Sequence, residues 1–439
     1  MMKKNKETTA VADPYQVPGF ARSRWSYTAE CAFEYFVALL VAEPFITKML
    51  EYIGFSDATI FVIQSLISLA FLFQLASIFV VQRITNVKKV AATVHGIAQL
   101  LFMSLYLVPF LPLPQEYKLV ITIGCLLLGY FGNYVVTSVI FRWGNSYVDP
   151  GKRARFAATK EMISLLSGVV VTLVMSRVYK MYEDNGDLRT AFIVTAIVMT
   201  IVSAIDFTCL MLMKNRVSEP LKKEEIVPIS KVLKDLFHNK GFVYVVILTS
   251  LWQCAHYMSC GAMGTYKQKE LGLAIDLIQI INIAGQMGRF AISRPFGRYT
   301  DKRSYSKGIA LGLTVAAVSF FVNIFITPEL WWLVIVYTVL FNMSMAGISQ
   351  NLYNIVYNFV DDKYFVQASA IKNSIGGVCG FVVALIGSRI LEAIQANGNT
   401  VFGIPMYGQQ LLAAFSFIFS VAAILFTRLV LEKQKTISR

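Results

Sequence analysis

Apolar stretches of about 20 residues recur along the whole chain, separated by short polar turns. Each is long enough to carry a helix across a hydrocarbon core of roughly 30 Å. No other feature constrains the fold as much. A backbone in lipid must satisfy its own hydrogen bonds, and a helix does so within one segment. Of 439 residues, 56% are hydrophobic and only 15% charged, where a soluble domain carries about 25%. The chain reads as an all-α, multi-pass membrane protein. The opening MMKKNKETTAVADPYQ has no apolar run followed by a small-residue cleavage site, so no signal peptide is expected.

Twelve spans are expected, the first six near 27–50, 58–81, 91–111, 118–141, 157–180 and 188–213. The other six lie near 242–266, 275–294, 308–327, 331–352, 365–388 and 408–430. This divides the chain into an N-terminal segment (1–26), a six-helix half (27–213), a central loop (214–240), a second half (241–430) and a tail (431–439). With both termini on one side, the termini and the loops on that side hold 29 of the 40 Lys and Arg. The opposite loops, with the span ends that flank them, hold eight, and Lys160, Arg289 and Lys372 are counted within spans. Basic excess in short loops marks the cytoplasmic face, so both termini are expected there, in a bacterial-type plasma membrane.

The net charge of +14 is thereby topological, and no nucleic-acid partner is expected. In the central loop, Ile229, Val232, Leu233 and Leu236 of ISKVLKDLFHNK share one helical face, expected on the inner membrane surface. The six cysteines lie in or near spans without a CxxC pair, which argues against a disulfide framework or a zinc site. No metal-ligand cluster or nucleophile–base constellation is evident. Neither an enzyme nor a cofactor is expected.

A shift of 212 residues lays the second half on the first without a gap. Tyr147-Val148-Asp149 then falls on Phe359-Val360-Asp361, Lys160 on Lys372, Gly168 on Gly380 and Gln74 on Gln286. One shared register near half the chain length favours duplication. Two parallel six-helix repeats are a secondary-transporter plan with the solute site near the midplane between them.

Between spans 8 and 9 runs GRYTDKRSYSK. Its Gly297, Asp301, Lys302 and Lys307 resemble the signature G-x-x-x-D-R/K-x-G-x-R/K of the major facilitator superfamily. Ser304 and Ser306 depart from its glycine and its spacing. Gly297 is expected to permit a tight helix exit. Asp301 is expected to pair with loop cations or a helix end and to release them as the halves rock. Lys160, Glu161 and Lys372 are expected near the same cytoplasmic gate. The resemblance further implies that spans 1, 4, 7 and 10 line the cavity.

Polar groups inside a bilayer are costly and mark the functional interior. Gln279, Asn282, Gln286 and Arg289 form one stripe along span 8. Span 7 offers Trp252, Gln253, His256 and Tyr257, span 4 Asn133, and span 10 Asn342, Gln350 and Asn351. Together these are the candidate solute contacts. In span 1, Glu30 and Glu34 stand one turn apart with Glu43-Pro44 beyond. Desolvation favours the protonated carboxyl, so one of the pair is a candidate proton carrier. Glu34 is favoured as the deeper, and structural pairing with a Lys or Arg is the plainer alternative. Gly376 and Gly380 of SIGGVCG have the small-xxx-small spacing of close helix packing.

The chain is expected to be a monomer that moves a small polar solute, a sugar or glycoside first, by alternating access with proton symport. Proton-coupled efflux of drugs or metabolites is a second reading, weakened because span 5 lacks G-x-x-x-G-P-x-x-G-G. A non-transporting sensor or scaffold on a transporter fold is the third.

Overall fold

The structure, a computed structural model, describes residues 17, 19–42, 44–76, 86–148, 153–215, 229–361, 364–401 and 403–434. Asp149 and Glu43 lie outside the described residues. The first span is two helices, α1 (Phe20–Leu40) and α2 (Phe45–Ile53). Pro44 causes the break: it has no N–H to offer Leu40, four residues back, and it biases the residue before it away from helix. The orphaned Leu40 carbonyl accepts instead from the hydroxyl of Tyr106, which is fully buried. Gly54 closes α2 at φ +92°, a left-handed turn that a side chain would resist. Ser56 then caps α3 (Asp57–Ala70), its Oγ accepting from the Thr59 amide at 3.3 Å.

The remaining spans are α4 (Val87–Ser104), α5 (Gln115–Asn145), α6 (Arg153–Asp184) and α7 (Leu188–Leu212). After α8 (Ile229–His238) in the central segment come α9 (Lys240–Ser259), α10 (Ile275–Lys302) and α11 (Tyr305–Ile324). The last are α12 (Leu333–Asn354), α13 (Phe365–Ala396) and α14 (Gly408–Leu429). A hairpin of β1 (Thr400–Val401) and β2 (Ile404–Pro405) joins α13 to α14.

Among the described residues, ten helices are long and apolar enough to cross a membrane. The broken, charge-bearing α1–α2 and the amide-rich α10 complete the expected twelve spans. Val120, Leu128, Leu166, Ile197, Ile418 and Leu425 are exposed on the outside, as lipid contact requires.

Three expectations change. The eighth span does not stop at 294, because α10 continues through Pro295 to Lys302. Gly297 therefore sits inside a helix, where an added Cβ would meet nothing within 4 Å. It is not a tight exit: charged residues read as loop prolong the helix beyond the apolar run. Only Arg303 and Ser304 separate α10 from α11, and Ser304 Oγ caps α11 by accepting from the Lys307 amide at 3.2 Å. The third change is at α8, where Leu233 and Leu236 pack into the core of the second half. That part of its apolar face is spent on protein.

Each half has its own core. Leu40, Met49, Leu50, Tyr106 and Phe192 belong to one, and Phe242, Leu313, Phe320 and Ile348 to the other. The halves meet where α3 lies against α13. There Ser68 Oγ donates to Gly377 O (2.8 Å), Ser374 Oγ to Phe71 O (2.9 Å) and Asn373 Nδ2 to Gln74 Oε1 (3.0 Å). Backbone contact this close needs glycine. A Cβ at Gly377 would stand 2.3 Å from Ser68 O, and one at Gly380 would stand 2.5 Å from Ser68 Oγ.

Gly377→Val should therefore force α3 and α13 apart and destabilise the protein by about 1–3 kcal/mol, the usual cost of overpacking. Gly297→Ala should be neutral or stabilising by about 0.5–1 kcal/mol, because alanine favours helix where nothing is displaced. Melting temperatures of the two purified variants in detergent check both. A Gly297→Ala loss as large as that of Gly377→Val would contradict the packing described.

Candidate functional site

A cavity of about 150 Å³ lies between the halves. Leu39 of α1, Phe45 of α2 and Thr172 of α6 line it from one side, and Gln279, Asn282 and Gln286 of α10 with Asn342 of α12 from the other. The helical spacing of 3 and 4 brings the three α10 amides to one stripe. Gly285 lets α12 approach that stripe, since a Cβ there would stand 2.6 Å from Asn342 Nδ2. No ionisable side chain is among these lining residues. Asn282 Nδ2 donates to Gln279 Oε1 at 3.4 Å and Asn342 Nδ2 to the Thr338 carbonyl at 2.9 Å. Gln286 Oε1 is buried without a partner, which in a low dielectric leaves an acceptor in need of a donor.

On α9, His256 is boxed by rings. It stacks on Phe341 at 5.4 Å between centroids, meets Tyr257 edge-on at 4.7 Å and lies 5.8 Å from Trp252. Its Nδ1 is buried without a hydrogen-bond partner. Phe341 precedes Asn342, so α12 links this aromatic box to the amide wall. Trp252 and Tyr257 are buried, and Gln253 packs against the α13 glycines.

The other candidates are not brought to the cavity. Asn351 Nδ2 donates to Thr300 Oγ1 (3.0 Å) and to Gly347 O (2.7 Å), so it ties α12 to α10. Thr300 is 14 residues beyond Gln286, about 21 Å along the helix. Asn133 Oδ1 is buried and unpartnered on α5, and the Arg289 carbonyl accepts from Ser293 Oγ at 2.6 Å. Lys160 Nζ donates to Tyr27 OH at 3.0 Å. Its repeat counterpart Lys372 donates to the Leu352 carbonyl at 2.8 Å, in the last turn of α12 where carbonyls lack helical partners. Lys302 and Lys307 stand exposed. The side chains of Glu161, Asp301 and Gln350 lie outside the described residues.

Charge gathers instead inside the first half. Glu30 of α1, His95 of α4 and Asp206 of α7 bring ligand atoms within 4.8 Å of one another. His95 Nε2 lies 2.8 Å from Asp206 Oδ2, and Gln99 Nε2 lies 3.1 Å from His95 Nε2. Glu30 is 1% exposed whereas Glu34 is half-buried. This reverses the depth order expected from the sequence, because α1 is flanked closely by α6 and α7. It also corrects the expectation that no metal-ligand grouping exists, since three ligand-bearing side chains from distant helices do converge. His95 and Asp206 were not among the sequence candidates. Each is nonetheless the lone ionisable side chain deep in an apolar run, which is itself a functional signal.

At the end where α3 and α10 begin, side chains bind the halves together. Lys180 Nζ of α6 meets Asp276 Oδ2 of α10 at 2.6 Å. Asp57 pairs with Lys269 and accepts from Gln395 Nε2 at 3.0 Å. Asp57 and Lys269 are 212 positions apart, the register of the sequence repeat. Two equivalent residues that touch must straddle the pseudo-two-fold axis.

Two six-helix halves closing on a polar cavity define a membrane transporter. The sequence matches the family model of the Major Facilitator Superfamily over residues 29–387, and the chain belongs to that superfamily. It is a secondary transporter rather than an enzyme. Its fold is similar to that of a mutant form of the nucleoside transporter NupG, at 14% identity over 94% of this chain and 99% of that one, with a TM-score of 0.68. It is also similar to a peptide transporter POT in complex with sulfate, at 12% identity over 94% of each chain, TM-score 0.67. A third is a POT family transporter in complex with 5-aminolevulinic acid, at 13% identity over 94% and 95%, TM-score 0.65. No curated protein matches the chain.

Cysteines replacing both Lys180 and Asp276, in a background without the native six, should be joined by a short bifunctional thiol reagent. The joined protein should be held with this end closed. Loss of cross-linking after solute is added would report the opening of the halves. Absence of cross-linking under every condition would contradict the contact.

Proposed function

We propose that the protein carries a small neutral solute rich in hydrogen-bonding groups, a sugar or glycoside first and a nucleoside as the nearest variant. Transport is by alternating access across the plasma membrane in symport with protons. The observation that carries this is the amide wall. Gln279, Asn282, Gln286 and Asn342 line one side of the cavity, with no ionisable neighbour in the lining among the described residues. Asn and Gln each offer a donor and an acceptor, which matches hydroxyl groups that do both. A zwitterion or an anion would call for charged partners there. The volume of about 150 Å³ is below the roughly 300–1,000 Å³ of drug-sized pockets, which suits a small solute. The aromatic box around His256 is linked to the amide wall through Phe341, next to Asn342 on α12, and offers apolar ring faces. That the fold is similar to a nucleoside transporter's keeps the nucleoside in the screen.

Proton coupling draws support from the carboxylates of α1. A group that carries a proton through alternating access must be shielded from bulk water in at least one state, and Glu30 is buried while Glu34 is half-buried. In this reading the protein acts as a monomer with both termini cytoplasmic.

The purified protein should be stabilised by a sugar, glycoside or nucleoside in a thermal-shift screen, because a ligand that binds only the folded state raises apparent stability. Gln286→Leu and Asn342→Leu should each weaken that ligand by about tenfold, since a lost hydrogen bond to a buried partner costs about 1–3 kcal/mol. A library in which only charged solutes stabilise the protein would defeat the proposal.

Orientation has its own test in intact cells. Arg303→Cys, exposed between α10 and α11, should label only from the cytoplasmic side, and Glu329→Cys, exposed between α11 and α12, only from outside. Labelling in the reverse sense would invert the topology.

A further inference from the structure

The buried group in the first half joins three helices. Glu30, His95 and Asp206 are 1%, 0% and 1% exposed, on α1, α4 and α7, and both α1 and α4 pack against α7. None of the three lines the solute cavity. Charged groups at such burial are tolerated only when they are paired or hold a cation.

A histidine–aspartate ion pair does not account for the contacts. His95 Nε2 has Asp206 Oδ2 at 2.8 Å and Gln99 Nε2 at 3.1 Å. If Nε2 carries a proton, it serves the carboxylate and meets the amide N–H donor against donor. If it carries none, it accepts from the amide and faces the carboxylate lone pair against lone pair. Neither state satisfies both neighbours. A cation between Nε2 and Oδ2 removes the conflict, because each atom then gives it a lone pair. Gln99, with its amide turned by half a turn, presents Oε1 in place of Nε2. That side chain is 1% exposed, and its Oε1 is buried without a partner, as are Asp206 Oδ1 and His95 Nδ1. Two oxygens at the group are thus acceptors that no donor meets. Cys31 Sγ donates to Glu30 Oε2 at 3.2 Å, an outer hydrogen bond of the kind that orients a ligating carboxylate.

We propose that Glu30, His95 and Asp206, with the Gln99 amide oxygen as a further ligand, form a site for one divalent transition-metal ion, Zn²⁺ or Mn²⁺, inside the N-terminal half. A metal-bound imidazole is neutral, so two carboxylates and a divalent ion sum to zero charge, as a low-dielectric interior requires. A monovalent ion leaves one negative charge over. The nitrogen ligand excludes Ca²⁺ and Mg²⁺ as the preferred ions, since both favour oxygen alone, whereas a mixed imidazole and carboxylate set suits the transition metals. Atoms bound to one Zn²⁺ at about 2.1 Å each stand no more than about 4.2 Å apart, so the spread of up to 4.8 Å closes with about half an ångström of side-chain adjustment. The 2.8 Å between Nε2 and Oδ2 corresponds to nearly a right angle at such an ion, which favours five or six ligands over a tetrahedron. The ion fastens α1, α4 and α7 at one point, as a resident clamp apart from the solute. Glu34 is outside the ligand set, and the site does not rest on the solute or the proton symport proposed above.

The test uses the full-length protein in detergent, freed of any histidine tag, from cells grown with ZnCl₂ or MnCl₂. Metal analysis after gel filtration without chelator should find one ion per chain. Chelator-treated protein should gain melting temperature when ZnCl₂ or MnCl₂ is added, because an ion that binds only the folded state raises apparent stability. Asp206→Asn and His95→Gln should each weaken the ion by more than about a hundredfold, beyond the cost of losing an outer partner, and Gln99→Leu by about tenfold or more. A gain of signal covers the case in which these variants fold poorly. In a background without the native six cysteines, His95→Cys loaded with CoCl₂ should acquire the near-ultraviolet charge-transfer band of a thiolate–cobalt bond, absent from its His95 parent.

Protein that retains no ion from either medium and gains no melting temperature from either salt overturns the site. So does an ion whose content and stabilisation survive both Asp206→Asn and His95→Gln, since it is then bound elsewhere. A His95→Cys protein with a cooperative melting transition but no cobalt band has the same consequence. Stabilisation by the solute, measured with chelator present, tests the reading of the cavity separately, so either proposal can fail while the other stands.

Discussion

A polar group without a partner in a low-dielectric interior costs several kilocalories per mole, and much of this structure answers that cost. The break between α1 and α2 is the plainest case. Proline removes the N–H that Leu40 O needs, and a tyrosine from the third span supplies a hydroxyl in its place. Lys372 does the same for the Leu352 carbonyl at the end of α12. Ser68, Ser374 and Asn373 satisfy one another's helices across the α3–α13 seam. Against this background of satisfied groups the exceptions are informative. Three of them, Gln286 Oε1, His256 Nδ1 and Asp206 Oδ1, fall at the cavity, in the aromatic box and at the charged group, while others such as Asn323 Oδ1 and Gln409 Oε1 lie elsewhere in the core.

How much of this is legible in the sequence depends on whether the determinant is local. The spans follow from apolar run length, and the amide stripe of α10 follows from spacing on one helix. Both need only neighbours in the chain, and Gln279, Asn282 and Gln286 do share one wall of the cavity, without Arg289. The apolar run of the first span is continuous in sequence, and Pro44 is the residue that breaks the helix within it. Helix ends differ from the apolar-run ends where charged residues follow, as at Gly297, because a helix does not have to stop at the membrane surface.

The charged group was not legible, for a different reason. Glu30, His95 and Asp206 are separated by 65 and 111 positions, and no periodicity relates them. They meet because α4 and α1 both pack against α7. Asn351 misled in the opposite direction. Its residue type suits a solute, but its bonds to Thr300 and Gly347 are fixed by the α10–α12 crossing, which sequence spacing cannot reveal.

The two polar centres divide unequally between repeats that began alike. The second half provides the amide wall and, through Lys372, a lysine used as a helix cap. The first half holds the carboxylates, and its equivalent lysine rests on Tyr27. Any influence of one centre on the other must cross from the first half to the cavity, and α1 touches both, as α6 does through Lys160 and Thr172. α1 carries Glu30 and Glu34, and it carries Leu39 on the cavity wall five residues after Glu34. Immediately beyond, the helix loses its continuous backbone ladder at Pro44. A rigid segment ending at such a break can turn without dragging α2 with it.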